Sequence, residues 1–236
     1  IQKTDFGGLA RSGAVSFTIG TKAYVGLGTD GSGNYLNDFW EYDSSTDTWT
    51  RKADFSGGAR VSPAAFSIGT KGYVGTGLGL NDIYKKDLLE YEPENDSWTQ
   101  KADFGGTERA MAVGFSIGTK GYLGTGRQYG GSYYKDFWEY DPENDSWTKK
   151  ADLAGAARGG AVGFAIDSIG YIGTGYSGTS RKDFFSYSPK TNTWTQRTNC
   201  GGTTRTYAVG FSIGTKGYIG MGWESGMGTH IDFWEY

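Results

Sequence analysis

The sequence predicts an all-β fold, a β-propeller of five blades with four antiparallel strands each, and three observations carry that expectation. Landmarks recur on one beat: Arg11, Arg60, Arg109, Arg158 and Arg205 stand 49, 49, 49 and 47 residues apart. Tyr24, Tyr73, Tyr122, Tyr171 and Tyr218 keep nearly the same spacing, as do Asp38, Asp87, Asp136, Asp183 and Asp232. A period near 50 residues built of short strands and turns is the pattern of propeller blades. Composition agrees: 41 Gly, 17 Tyr and 13 Phe among 236 residues suit many short strands joined by tight turns. The third observation is at the ends. Ile1–Phe6 aligns with Thr99–Phe104, the end of a fourth strand, and Tyr236 ends a third strand. Residues 1–5 are therefore expected to pair with Phe233–Tyr236, complete the last blade and remove two open sheet edges. The alternative is a fragment of a larger ring. The units run 7–52, 53–101, 102–150, 151–197 and 198–236 plus 1–6, in a single domain over 1–236.

The third unit shows the reasoning for each strand. Ala112–Ile117 is a short, small-residue run, strand a. Gly118-Thr119-Lys120-Gly121 is a hairpin turn, where glycine supplies positive φ. Tyr122–Gly126 is strand b, a variable stretch Arg127–Lys135 follows, and Asp136–Tyr140 is strand c. Asp141-Pro142-Glu143-Asn144-Asp145 turns the chain, with proline setting φ, into strand d at Ser146-Trp147-Thr148. Small residues on strand a and aromatic ones on strands c and d grade the blade from a narrow inner edge to a wide rim. Alternation puts Asp136, Trp138 and Tyr140 on one face of strand c.

The run Arg109, Tyr122, Gly124, Gly126, Tyr140, Asp141, Pro142 and Trp147 resembles the kelch repeat, and the resemblance covers the whole chain. The wording is similar to that of secreted kelch proteins of Bacteroidetes, which implies an extracellular or cell-surface bacterial protein. The family's double glycine is relaxed to Gly-x-Gly, as in Gly26/Gly28 and Gly173/Gly175, and unit four departs at Phe185-Ser186-Tyr187.

Charge and composition narrow the function. A net charge of −3 and a pI near 5.3 argue against nucleic acid, whose phosphates need a basic surface. No apolar run approaches the roughly 18 residues of a membrane span. One cysteine forbids an internal disulfide. The chain opens at Ile1 without a signal segment, as a processed, excised or engineered piece would.

With strands a and c running one way and b and d the other, the d–a and b–c loops share one face. The a–b turns repeat Gly-Thr-Lys in four units, with Asp167-Ser168 in the other, whereas the b–c loops all differ: Thr29–Asn37, Leu78–Lys86, Arg127–Lys135, Tyr176–Lys182 and Trp223–Ile231. Variable loops on a rigid scaffold are the usual seat of binding. Tyr35, Tyr84, Tyr129, Tyr133, Tyr134, Tyr176 and Trp223 are the candidate ligand-binding residues, suited to sugar faces or peptide side chains; rim packing is the competing role. The arginine ring, Arg11, Arg60, Arg109, Arg158 and Arg205, is expected to pair with the five aspartates rather than to hold an anion. Glu41, Glu90, Glu139 and Glu235 need partners, Arg or backbone N–H, and recur too symmetrically for acid–base catalysis. His230 is a lone loop histidine, Cys200 a small apolar plug, and the acidic c–d turns lack the spacing of a calcium loop. The expectation is a non-catalytic, monomeric module that binds a protein or glycan, with no cofactor and no metal. A structural or engineered scaffold and a sugar-processing kelch enzyme are the alternatives.

Overall fold

A computed structural model describes residues 1–236. The chain folds as five β-propeller blades, with strands ordered a-b-c-d and neighbours antiparallel. It divides into two compact units, Ile1–Ala110 and Met111–Tyr236. In the first, blade one holds Val15–Ile19, Lys22–Gly26, Phe39–Asp43 and Thr48–Lys52. Blade two holds Ala64–Ile68, Lys71–Gly75, Leu88–Glu92 and Ser97–Lys101. In the second, blade three holds Val113–Ile117, Lys120–Gly124, Phe137–Asp141 and Ser146–Lys150. Blade four holds Val162–Ile166, Ile169–Gly173, Phe184–Ser188 and Thr193–Arg197. Blade five holds Val209–Ile213, Lys216–Gly220 and Phe233–Glu235.

Strand b opens two residues earlier than its aromatic landmark suggests. Ile117 pairs with Lys120, so the turn is Gly118–Thr119 alone. Gly20, Gly69, Gly118 and Gly214 all sit at φ 58°, the positive value that the first position of a two-residue hairpin requires. Asp167 takes the same role in blade four at φ 51°, a conformation Asp tolerates better than most residues.

Within each unit the first strands of consecutive blades lie against one another, so strand a is innermost. Small residues on strands a and b are sockets. A Cβ added to Gly72 would lie 2.2 Å from the Phe17 ring, one on Gly163 2.1 Å from Val113, and one on Gly217 2.3 Å from Phe164. Within each unit, a blade presses Val or Phe knobs into glycine sockets of the blade that follows. Toward the rim, aromatic edges take over: Phe39 meets Trp98 edge-on at 5.0 Å, and Phe137 meets Trp194 at 4.9 Å. The graded side-chain size thus becomes a wedge packed at every radius.

The last blade departs from the expected closure. Its sheet has three strands, and residues 1–6 add no fourth. Thr4 instead lies on blade one, its N–H donating to Asp47 (3.2 Å) and its carbonyl accepting from the Trp49 indole (3.2 Å). Ala53 makes the same two bonds to Asp96 and Trp98 in blade two. Ile1–Phe6 therefore serves as the entry segment of blade one: the turn aspartate and the strand-d Trp give Thr4 specific partners, whereas Ile1–Lys3 gain none of strand type.

Blade five consequently lacks strand d. Val209 is 51% and Phe233 56% exposed, against 4% and 1% for Val113 and Phe137 of blade three. Backbone amides under few apolar contacts open more easily. Hydrogen exchange is therefore expected to be faster in Val209–Ile213 and Phe233–Glu235 than in Val113–Ile117 and Phe137–Asp141. Equal or slower exchange in blade five would contradict it.

Candidate functional site

Each Arg of the ring is a latch. Arg158 donates to both Asp183 carboxylate oxygens (2.6 and 2.8 Å), to the Thr174 carbonyl (2.9 Å) and to the Ala156 carbonyl (2.9 Å). Arg11, Arg60 and Arg205 grip Asp38, Asp87 and Asp232 with the same fork. The Arg60, Arg109, Arg158 and Arg205 residues are fully buried. Phe6, Phe55 and Phe104 lie 4.8, 4.8 and 4.9 Å from the Arg11, Arg60 and Arg109 guanidinium carbons. Asp38 and Asp232 have a second donor, the indole of Trp40 or Trp234 two residues on; this is the shared face that strand alternation predicts. The Arg205 hydrogen bonds hold Asp232 far below the usual carboxylate range. Burial opposes ionisation of Asp38, but bonds from Arg11 and Trp40 outweigh it.

The latch also explains Gly-x-Gly. Its middle residue, Leu27, Thr76, Thr125, Thr174 or Met221, takes φ of 59–61°. At four of the five, the carbonyl is seen to accept from the Arg of its own blade. The glycines on either side permit close approach: a Cβ on Gly26 would strike Phe39 at 2.1 Å, and one on Gly28 the Ser12 carbonyl at 2.5 Å.

The strand-c glutamates have partners other than the expected Arg or backbone N–H. Glu41 accepts from Lys22 (2.5 Å) and Tyr24 (2.7 Å), and Glu90 from Lys71 and Tyr73 (2.7 Å each). Glu139 takes Tyr122 and Lys150, and Glu235 takes Tyr218 and Lys216. Both partners come from adjacent strands: Tyr24 stands directly opposite Glu41 in the ladder. Burial pushes Glu41 and Glu90 upward, and the lysine and tyrosine bonds more than reverse it. The c–d turn acids are equally engaged. Asp47, Asp96 and Asp145 accept the hydroxyls of Tyr42, Tyr91 and Tyr140, which accounts for acidic turns without calcium.

Two single residues are placed as follows. Burial pushes the Cys200 thiol upward, away from the thiolate a nucleophile needs, and its position is that of Phe6 and Phe55. His230 is less solvated than a loop position suggests: its side chain is 15% exposed, 3.6 Å from Glu224 and 3.4 Å from Thr203.

The d–a and b–c loops do share one end of the blade. Ser12 pairs with Thr29, Val61 with Leu78, Gly159 with Tyr176 and Thr206 with Trp223. In the first unit, Tyr35 and Tyr84 are half-buried and folded back onto Thr29 and Leu78. A cleft of about 370 Å³ opens between Gly33–Tyr35 and Leu80–Asp82. In the second unit, Tyr129 is 80% and Trp223 41% exposed. Tyr133, Tyr134 and Tyr176 are half-buried. The Tyr134 hydroxyl donates to Gln128 (2.8 Å), and the Tyr133 and Tyr176 rings meet edge-on at 6.1 Å. The candidates thus divide into rings that cap their own loop and two that project.

Sequence reasoning passed over the residues two places after each latch Arg: Gly13, Ser62, Met111, Gly160 and Tyr207, all with φ of 53–62°. They carry backbone bonds from blade to blade, as in Ser62 N–H to Gly13 O (2.8 Å) and Tyr207 N–H to Gly160 O (2.9 Å). Glycine in two of the five units was the available signal.

The Kelch motif family matches residues 10–56, which span blade one and its latch. The solved structure of YjhT superposes with a TM-score of 0.84 at 18% identity, over 98% of this chain and 82% of that one. At that identity the likeness is one of fold. No curated protein matches the chain.

Proposed function

We propose that this propeller, which carries a kelch motif, is a non-catalytic module that binds a protein or glycan through its b–c loops. The observation behind the reading is a contrast within one scaffold. The Arg–Asp latches and Glu–Lys–Tyr clusters occupy the charged groups that repeat, while the loops that follow strand b differ in every blade and project Tyr129 and Trp223. Projecting rings with a polar tip offer apolar area and a hydrogen bond at low entropic cost. The carboxylates that an acid–base mechanism would need are already bonded to cations and hydroxyls. The resemblance to secreted kelch proteins supports a place outside the cell or on its surface; no helix is long and apolar enough to cross a membrane.

The test is a glycan array and a pull-down with Tyr129→Ala and Trp223→Ala. At least one is expected to weaken capture tenfold or more with an unchanged melting temperature. Undiminished capture by both would move the binding surface away from these loops.

A further inference from the structure

In the second unit, the b–c loop of blade three crosses the d–a loop of blade four at a pair of glycines. A Cβ on Gly159 would stand 3.5 Å from Cγ of Arg127, so the arginine stem lies along that backbone. Gly160 is covered on its other side by Tyr207, whose hydroxyl lies 3.2 Å from the Met111 sulfur. Tyr176 pairs with Gly159 through its backbone and meets Tyr133 through its ring, and Tyr133 pairs with Arg127. Arg127 and Tyr133 both act electrostatically on Tyr207. Arg127 and the three tyrosines thus gather around the Gly159–Gly160 backbone, with Tyr133 beside the arginine in the ladder.

Arg127 differs from the latch arginines in having no carboxylate. It makes no ion pair, and its Nε is buried without a hydrogen-bond partner. An unpaired N–H held dry is destabilising, which a structural arginine in this fold avoids by gripping Asp. Its backbone is nevertheless fixed, by Tyr133 beside it and by the bond from Gly126 N–H to the Arg158 carbonyl (2.7 Å). Arg181, in the blade-four loop with Tyr176, likewise has no carboxylate and donates only to the Ser177 hydroxyl (2.9 Å). In the same loop the Ser180 hydroxyl is buried without a partner.

We infer that Arg127, next to Tyr133 and across the Gly159–Gly160 backbone from Tyr176 and Tyr207, is a subsite for a single carboxylate carried by the ligand of the loop face. A guanidinium presents paired donors that match a carboxylate's two oxygens. One cation balances one negative charge, where a phosphate dianion asks for more. The tyrosines accept the flat apolar flank of whatever carries the acid. The inference rests on the binding role proposed for these loops and names the chemistry it recognises.

The carboxylate can come from a sugar acid or from a peptide C-terminus, and titration calorimetry separates them. The wild-type chain is titrated with galacturonate against galactose, and with an acetylated aromatic dipeptide bearing a free C-terminus against its amide. One acid of the two is expected to bind at least tenfold more tightly than its neutral partner. Arg127→Ala should remove that difference while leaving the melting temperature unchanged, and Arg127→Lys should restore it only in part. Equal binding of acid and neutral forms, no binding of either acid, or an acid preference that survives Arg127→Ala overturns the subsite. If Tyr129→Ala or Trp223→Ala still weakens capture in the array or pull-down, the binding role stands without the carboxylate. If neither they nor Arg127→Ala matters, both readings fall.

Discussion

Arg158→Ala is expected to lower folding stability by about 3 kcal/mol in urea or thermal unfolding, the lower end for breaking a buried ion pair. Removing the guanidinium strands the Asp183 carboxylate and orphans the Thr174 and Ala156 carbonyls together. Asp183 is 25% exposed, so water relieves part of the loss. The double variant Arg158→Ala/Asp183→Ala should recover part of the deficit, since no uncompensated charge then remains. Arg51→Ala is the control: its pair with Asp54 is exposed, and such pairs contribute roughly 0–1 kcal/mol. A change in Arg158→Ala no larger than in Arg51→Ala would show that the latch does not hold the blade.

Trp98→Ala should cost about 3 kcal/mol, the lower end for a large aromatic because the ring is half-buried. The indole meets Phe39, Phe55 and Tyr91 at 5.0, 4.8 and 4.8 Å and donates to the Ala53 carbonyl at 3.1 Å. It therefore joins two blades and the segment between them, and its loss opens a cavity that reaches both. Trp98→Phe should recover most of the packing but not the bond to Ala53, for a cost near 1 kcal/mol. An unfolding midpoint for Trp98→Ala equal to that of wild type would remove the ring from the core.

The repeats alone made the blade legible. Period, turn glycines and alternation are local properties, set by φ preference and by the two-residue repeat of a strand. They gave the strand order, the inner position of strand a, the common end of the d–a and b–c loops, and the pairing of each latch Arg with an Asp. They failed where the answer lay with a neighbour in space. The partners of Glu41 are Lys22 and Tyr24, decided by ladder register rather than by charge pattern.

Ile1–Phe6 reads as the end of a strand d, by its alignment with Thr99–Phe104. Its sequence determined only that it belonged to a d-type segment. The fold added what alignment did not show: Asp47 and Trp49 offer Thr4 the two hydrogen bonds that Asp96 and Trp98 offer Ala53. The same division holds at the loops. Sequence marked the tyrosines as variable and aromatic, but which of them cap their own loop and which project depended on backbone bridges. Arg127, one more loop arginine in the sequence, became distinct only when tertiary structure supplied an Asp to the latch arginines and none to it. A charge is spent or left free according to what lies within about 4 Å, and residues that close are brought together by strand pairing within a blade, across 25 or more positions of chain in the latch pairs.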